Sequence, residues 1–129
     1  MTTKIFRKER PEAVARYRRT YRLLHRDRIR EHDRAVRQRL RQETIEAYGG
    51  KCQCCGESQW EFLTIDHING GGRRHIINVS GDRGGWQFYR WLKRHDYPKE
   101  EYRLLCYNCN CARGRFGYCP HERLGNTMA

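Results

Sequence analysis

The chain has 129 residues, 27 Lys and Arg against 15 Asp and Glu, and a formal net charge of +12. That is room for one modest domain plus an appendage, with a core small enough to call for a staple. The positive excess points to a polyanionic partner, nucleic acid before an anionic membrane, and no apolar run approaches the roughly 20 residues that span a bilayer. Ile5 and Phe6 stand alone among polar residues, too little for the apolar stretch of a signal peptide. The expected compartment is therefore the reducing cytoplasm, where clustered cysteines serve as metal ligands rather than disulfides. An odd count of seven cysteines fits that expectation.

Residues 1–48 read as a basic helical arm. Over residues 1–46 there are fifteen basic and seven acidic side chains. No Pro or Gly follows Pro11 until Gly49, and a Pro in the first turn of a helix gives up an N–H that has no partner there. Val14, Tyr17, Tyr21 and Leu24 share one helical face, and Ile29, Val36, Leu40 and Ala47 extend it as a thin stripe. Asp27, Glu31 and Asp33 alternate with Arg, so local ion pairs support the helix. So thin a stripe predicts one or two long helices, resting on the domain at their C-terminal end and presenting Arg to solvent. The sharper expectation is a grip on the phosphates of duplex DNA, which gives affinity but little sequence reading. The plainer one is a solvated, salt-bridged or coiled-coil helix.

Gly49-Gly50-Lys51 breaks the helix, and Cys52-Gln53-Cys54-Cys55-Gly56 follows. Two thiolates two residues apart bind one ion from a turn, and Cys106-Tyr107-Asn108-Cys109 repeats the device some fifty residues on. Cys52, Cys55, Cys106 and Cys109 are the expected ligands of a structural Zn²⁺, although Cys52 can also pair with Cys54. Cys111 and Cys119 are left over. Cys119-Pro120-His121 has the makings of another weak site, but the expectation there is a packed tail.

Between the knuckles, Trp60, Phe62, Leu63 and Ile65 lead to Asp66-His67 as a short strand. Asn69-Gly70-Gly71-Gly72 makes a loop that a sugar-phosphate backbone can approach, with Arg73 and Arg74 behind it to hold phosphate. His75 is either a further phosphate or metal contact or a loop His bonded to the backbone. Residues 86–94 read as a helix with Phe88, Trp91 and Leu92 on one face, ended by Asp96-Tyr97-Pro98. Tyr102-Arg103-Leu104-Leu105 is a second strand running into Cys106. From Cys109 onward Asn110-Cys111-Ala112-Arg113 begins a helix that Gly114 limits.

Gly49-Gly50-Lys51-Cys52 with Cys55-Gly56, then Asp66-His67-Ile68-Asn69-Gly70, then Leu104-Leu105-Cys106-Tyr107-Asn108-Cys109-Asn110 resemble the HNH endonuclease family, in the subgroup often carried by bacteriophages. The resemblance covers roughly half the chain, residues 49–121. It implies an α+β fold: a small zinc-stapled ββα-metal (His-Me finger) nuclease domain over 49–121, behind the arm and before a flexible tail over 122–129. It implies a metal-dependent DNA endonuclease, with His67 as the general base and Asp66 as a ligand of the catalytic ion. Asn110 takes the place of the motif's final His as the second ligand. The position five before Cys106 is Glu101, so the motif's middle Asn has no counterpart by spacing, and Asn108 or Asn69 is left to hold the loop that aims His67. Arg73, Arg74, His75 and Arg113 are the expected DNA contacts. Some proteins of this kind work beside DNA-packaging machinery, which implies a phage terminase as partner and the host cytoplasm as location.

The chemistry is coherent without the family. An imidazole, whose ordinary pKa is about 6.5, takes the proton of an attacking water at neutral pH. One divalent ion polarises the phosphoryl oxygen and stabilises the departing alkoxide. A carboxylate and an amide carbonyl are hard oxygen donors suited to Mg²⁺ or Mn²⁺. One such finger cuts one strand, so a monomer that nicks duplex DNA with weak sequence preference is the expectation. The rival readings are a non-catalytic zinc-ribbon protein binding DNA or RNA, and a structural role in a phage assembly.

Overall fold

The computed structural model describes residues 10–72, 74, 78 and 85–124. The chain divides into two compact units, Met1–Val36 and Arg37–Ala129. Arg73, His75 and residues 125–129 of the expected tail lie outside the described residues.

The described part of the first unit is helical. Helix α1 (Pro11–Leu24) starts on its proline and buries no residue. Its stripe is occupied by rings: Tyr17 and Tyr21 lie 6.2 Å apart and Tyr21 lies 4.3 Å from His25, centroid to centroid. His25 interrupts the helix, and α2 (Arg26–Ala47) resumes immediately. Two helices thus stand where one or two were expected. Arg28 Nη2 donates to the Tyr21 hydroxyl at 3.2 Å across the break.

In the second unit, the residues of α2 from Arg37 onward turn from solvent to core: Thr44 and Ile45 are buried, and Tyr48 just beyond the helix is too. Arg41 holds the next element in place. Its Nη2 donates to the carbonyl of Leu63 at 2.7 Å, and its guanidinium lies 5.0 Å over the Trp60 ring. Trp60–Phe62 is a single 3₁₀ turn rather than part of the strand, and β1 is Leu63–His67. β1 pairs antiparallel with β2 (Tyr102–Cys106), Leu63 opposite Cys106 and His67 opposite Tyr102. Between them lies α3 (Gly85–Arg94), which buries Phe88 and Leu92. It ends where Asp96 and Tyr97 take positive φ, 56° and 51°, an unusual conformation for side-chain-bearing residues that turns the chain sharply back toward β2.

β2 runs without a gap into α4 (Tyr107–Phe116). This helix begins two residues before Cys109 and passes through Gly114. It stops at Gly117, whose φ of 80° lets its N–H reach the carbonyl of Arg113. Pro120 opens the one-turn α5 (Pro120–Arg123). The architecture is mixed: helices together with a two-stranded antiparallel sheet. Of the fourteen buried apolar residues described, five are cysteines. The interior is therefore short of hydrocarbon, and Leu63, Leu92, Leu104 and Leu105 supply much of what there is, about 1.5–3 kcal/mol each on burial. Among the described residues no helix is long and apolar enough to cross a membrane.

Candidate metal centre and the Asp-His strand end

The first knuckle is built by backbone hydrogen bonds around Gly56. Cys52 N–H donates to the Glu57 carbonyl at 2.9 Å, and Gly56, at φ 80°, returns its N–H to the Cys52 carbonyl at 2.9 Å. Gln53 N–H reaches the Leu104 carbonyl at 2.9 Å, tying the knuckle to β2. The second knuckle is also a helix cap: Cys106 precedes α4, and its Sγ accepts the N–H of Cys109 at 3.4 Å. The sulfurs of Cys52, Cys55, Cys106 and Cys109 all lie within 4.8 Å of one another, and those of Cys55 and Cys106 are 3.7 Å apart. A tetrahedral zinc with Zn–S bonds of about 2.3 Å has sulfur–sulfur edges of about 3.8 Å. The quartet can hold a metal such as zinc, and of the two pairings open for Cys52 the geometry selects Cys55.

The thiols of the quartet are shifted in opposite directions. Burial alone raises the Cys52 thiol, but N–H groups of Cys55, Cys106 and Cys54 and the Cys55 side chain outweigh it and bring its pKa down to about 7. Burial pushes the Cys106 thiol up. It pushes Cys109 up further, reinforced by the neighbouring sulfurs of Cys106, Cys119 and Cys55. A divalent ion bound among these sulfurs displaces the thiol protons. All seven cysteines are free of disulfides.

Asp66 and His67 end β1, both half-buried. Neighbours on a strand point to opposite faces. His67 shares its face with Leu63 and Ile65. Its imidazole stacks on Phe88, 5.1 Å between centroids and 19° between planes, and meets the edge of Tyr102 at 4.9 Å. Gly72, in helical backbone, presses on the ring: a Cβ there would stand 2.7 Å from His67 Nδ1. Asp66 lies on the other face opposite Arg103, whose Nε donates to its Oδ2 at 2.8 Å. The hydrogen bond that anchors the turn after His67 comes from the backbone, Ile68 N–H to the Glu101 carbonyl at 3.0 Å. Glu101 is the position where spacing called for the motif's Asn. Asn69 and Asn108 are exposed, and Asn110 is half-buried early in α4.

Arg74 is exposed. Arg113 is engaged within the fold: it forms an ion pair with Glu122, and its guanidinium lies beside Cys54. Cys119 and His121 do more than pack a tail. With Cys54 they gather around Cys109 in a second cluster. The leftover cysteines beside a Cys-Pro-His step were its only trace in the sequence. No family model matches the chain, and neither a curated protein nor a solved structure matches it.

Proposed function

We propose that this chain is a metal-dependent HNH-type endonuclease that nicks duplex DNA, its second unit serving as a ββα-metal finger. The observation that carries the reading is the order β1, β2, α4. A strand ending in Asp66-His67 pairs with a strand that enters a thiolate knuckle and then a helix bearing Asn110. The knuckles hold that order rigid from outside, leaving the strand end for chemistry.

His67 is the base that takes the proton from water. Its ring orientation is set by Phe88 and Tyr102, and half-burial leaves it a path to solvent. Asp66 and Asn110 would be the ligands of a catalytic Mg²⁺ or Mn²⁺, which would supply Lewis-acid polarisation of the phosphoryl group and neutralise charge on the leaving oxygen. The donor chemistry fits: a carboxylate has a second oxygen for a cation while Oδ2 keeps Arg103. With Asn in place of the motif's final His, softer ions such as Ni²⁺ or Zn²⁺ lose their preferred nitrogen donor. The Arg-rich helices of the arm supply affinity for phosphate. A monomer in the cytoplasm of a phage-infected host, working beside a terminase, is the setting this reading implies.

One observation favours the second reading, a zinc-stapled nucleic-acid binder without catalysis. The Arg103 cation already occupies part of the Asp66 carboxylate. Supercoiled plasmid incubated with Mg²⁺ decides between them. The nuclease gives open circles before linear product, loses activity in EDTA, and falls about 10²-fold or more in His67→Ala. DNA retention by wild type with no cleavage in Mg²⁺ or Mn²⁺ leaves the binder.

A further inference from the structure

Cys54, Cys109, Cys119 and His121 bring three sulfurs and one ring nitrogen within 4.8 Å of one another, and Cys109 also belongs to the first quartet. We propose that the chain holds two zinc ions in one cluster, with the Cys109 thiolate bridging them. The inference does not depend on whether the chain cuts DNA.

The donor count matches the chemistry. Two tetrahedral ions need eight coordination positions, and one bridging thiolate fills two of them, so seven residues suffice. Seven are present: Cys52, Cys55 and Cys106 on one side, Cys54, Cys119 and His121 on the other, with Cys109 common to both. The remaining cysteine, Cys111, is exposed and in neither set.

Distances in the second half fit an ion at its centre. His121 Nδ1 lies 3.3 Å from the sulfurs of Cys109 and Cys119 and 4.0 Å from that of Cys54. Zinc bonds of about 2.3 Å to sulfur and about 2.0–2.1 Å to nitrogen set tetrahedral S···N edges near 3.6 Å. His121 therefore coordinates through Nδ1.

The fold assembles these donors from three places. Cys54 lies inside the first knuckle, on the turn between Cys52 and Cys55. Cys109 lies in the first turn of α4, 0% exposed. Gly117, in the left-handed region, reverses the chain so that Cys119 returns to Cys109, and Pro120 starts the turn that carries His121. Cys54 and Cys119 are themselves 4% and 1% exposed. Six thiolates around two Zn²⁺ leave a net charge of −2, and the Arg113 guanidinium beside Cys54 and Cys119 offsets part of it.

The test is the metal content of the zinc-loaded full chain by native mass spectrometry, with cadmium NMR after exchange for an NMR-active isotope. Two ions per chain are expected, giving two cadmium resonances that split one another through the shared sulfur. His121→Ala should fall to one ion while the four-thiolate half keeps the domain folded, and Cys111→Ser should keep two. One ion per wild-type chain overturns the proposal. So does a His121→Ala variant that retains two, and two cadmium resonances without mutual splitting rule out the bridge. The wild-type measurements need no variant to fold.

Discussion

Gly72→Ala isolates how the backbone at Gly72 sets the His67 ring. The added Cβ would stand 2.7 Å from Nδ1 and 3.2 Å from both Cγ and Cε1 of His67. Ordinary contact is about 3.5–4.0 Å, so the imidazole has to retreat by about 1 Å. Phe88 stacks on the ring and Tyr102 meets it edge-on, and both are 3% exposed and fixed in the core. Overpacking of this kind costs about 1–3 kcal/mol. The backbone at Gly72 is outside the left-handed region, so alanine also returns about 0.4–1 kcal/mol through the unfolded chain. The net expectation is a loss of about 0.5–2 kcal/mol in urea denaturation of the metal-loaded protein, with a shift of the His67 ring resonances. If His67 is the general base, nicking falls by about 10²-fold, as misplacement of a reacting group by about 1 Å does. Gly114→Ala is the control: its Cβ meets nothing within 4 Å, it lies inside α4, and helix propensity favours it by about 1 kcal/mol. Gly72→Ala behaving like Gly114→Ala, with unchanged His67 resonances, would refute the reasoning.

Four further outcomes follow from the same structure. Stripping metal with a strong chelator should unfold the second unit, seen as loss of near-UV circular dichroism, because structural zinc contributes about 10–16 kcal/mol in small domains and the whole stability of a domain is about 5–15 kcal/mol; an unchanged melting curve would remove the metal from the fold. Arg103→Ala leaves the half-buried Asp66 carboxylate without its cation and should cost about 1–3 kcal/mol, less than a fully buried pair; in an Asp66→Asn background the same change should cost much less. Burial, with the nearby Tyr102, Tyr97 and Glu101, raises the pKa of Tyr48, whose hydroxyl donates to the Pro98 carbonyl at 2.8 Å. Because the folded value lies above the unfolded one, that contribution is full below about pH 10 and is lost as pH rises beyond it. Tyr48→Phe should flatten the alkaline fall in urea stability while losing about 1 kcal/mol at neutral pH. Finally, Arg18, Arg19 and Arg22 are exposed on α1, and replacing all three with Ala should lower the slope of log K against log salt for duplex DNA by about 2–3; an unchanged slope removes the first unit from the interface.

Features governed by neighbours one turn apart were legible in the sequence. The knuckle at Cys106 and Cys109 is one, since two residues of spacing alone bring both sulfurs to one side of a turn. The strands ending at His67 and starting at Tyr102, the break at Gly49 and the helix around Phe88 and Leu92 are others, because apolar period and glycine act locally. Gly114 misled for a related reason. A glycine weakens a helix by about 1 kcal/mol without ending it, and the stop falls at Gly117, where the chain must take a positive φ. Whether Cys54 or Cys55 joins Cys52 depended on which sulfur faces β2 and which faces α4, a choice that exists only once both are packed.

The amino-acid order by itself determined that this is a basic chain with a helical arm and two Cys-x-x-Cys pairs flanking an Asp-His step. The tertiary structure alone decided that Arg103 meets Asp66, that Gly72 closes on His67, and that Cys54, Cys119 and His121 gather on Cys109. Those partners lie as many as 67 residues apart. Spacing rules carry no information at that range, because the contact depends on where β2, α4 and the turn at Gly117 bring the chain together.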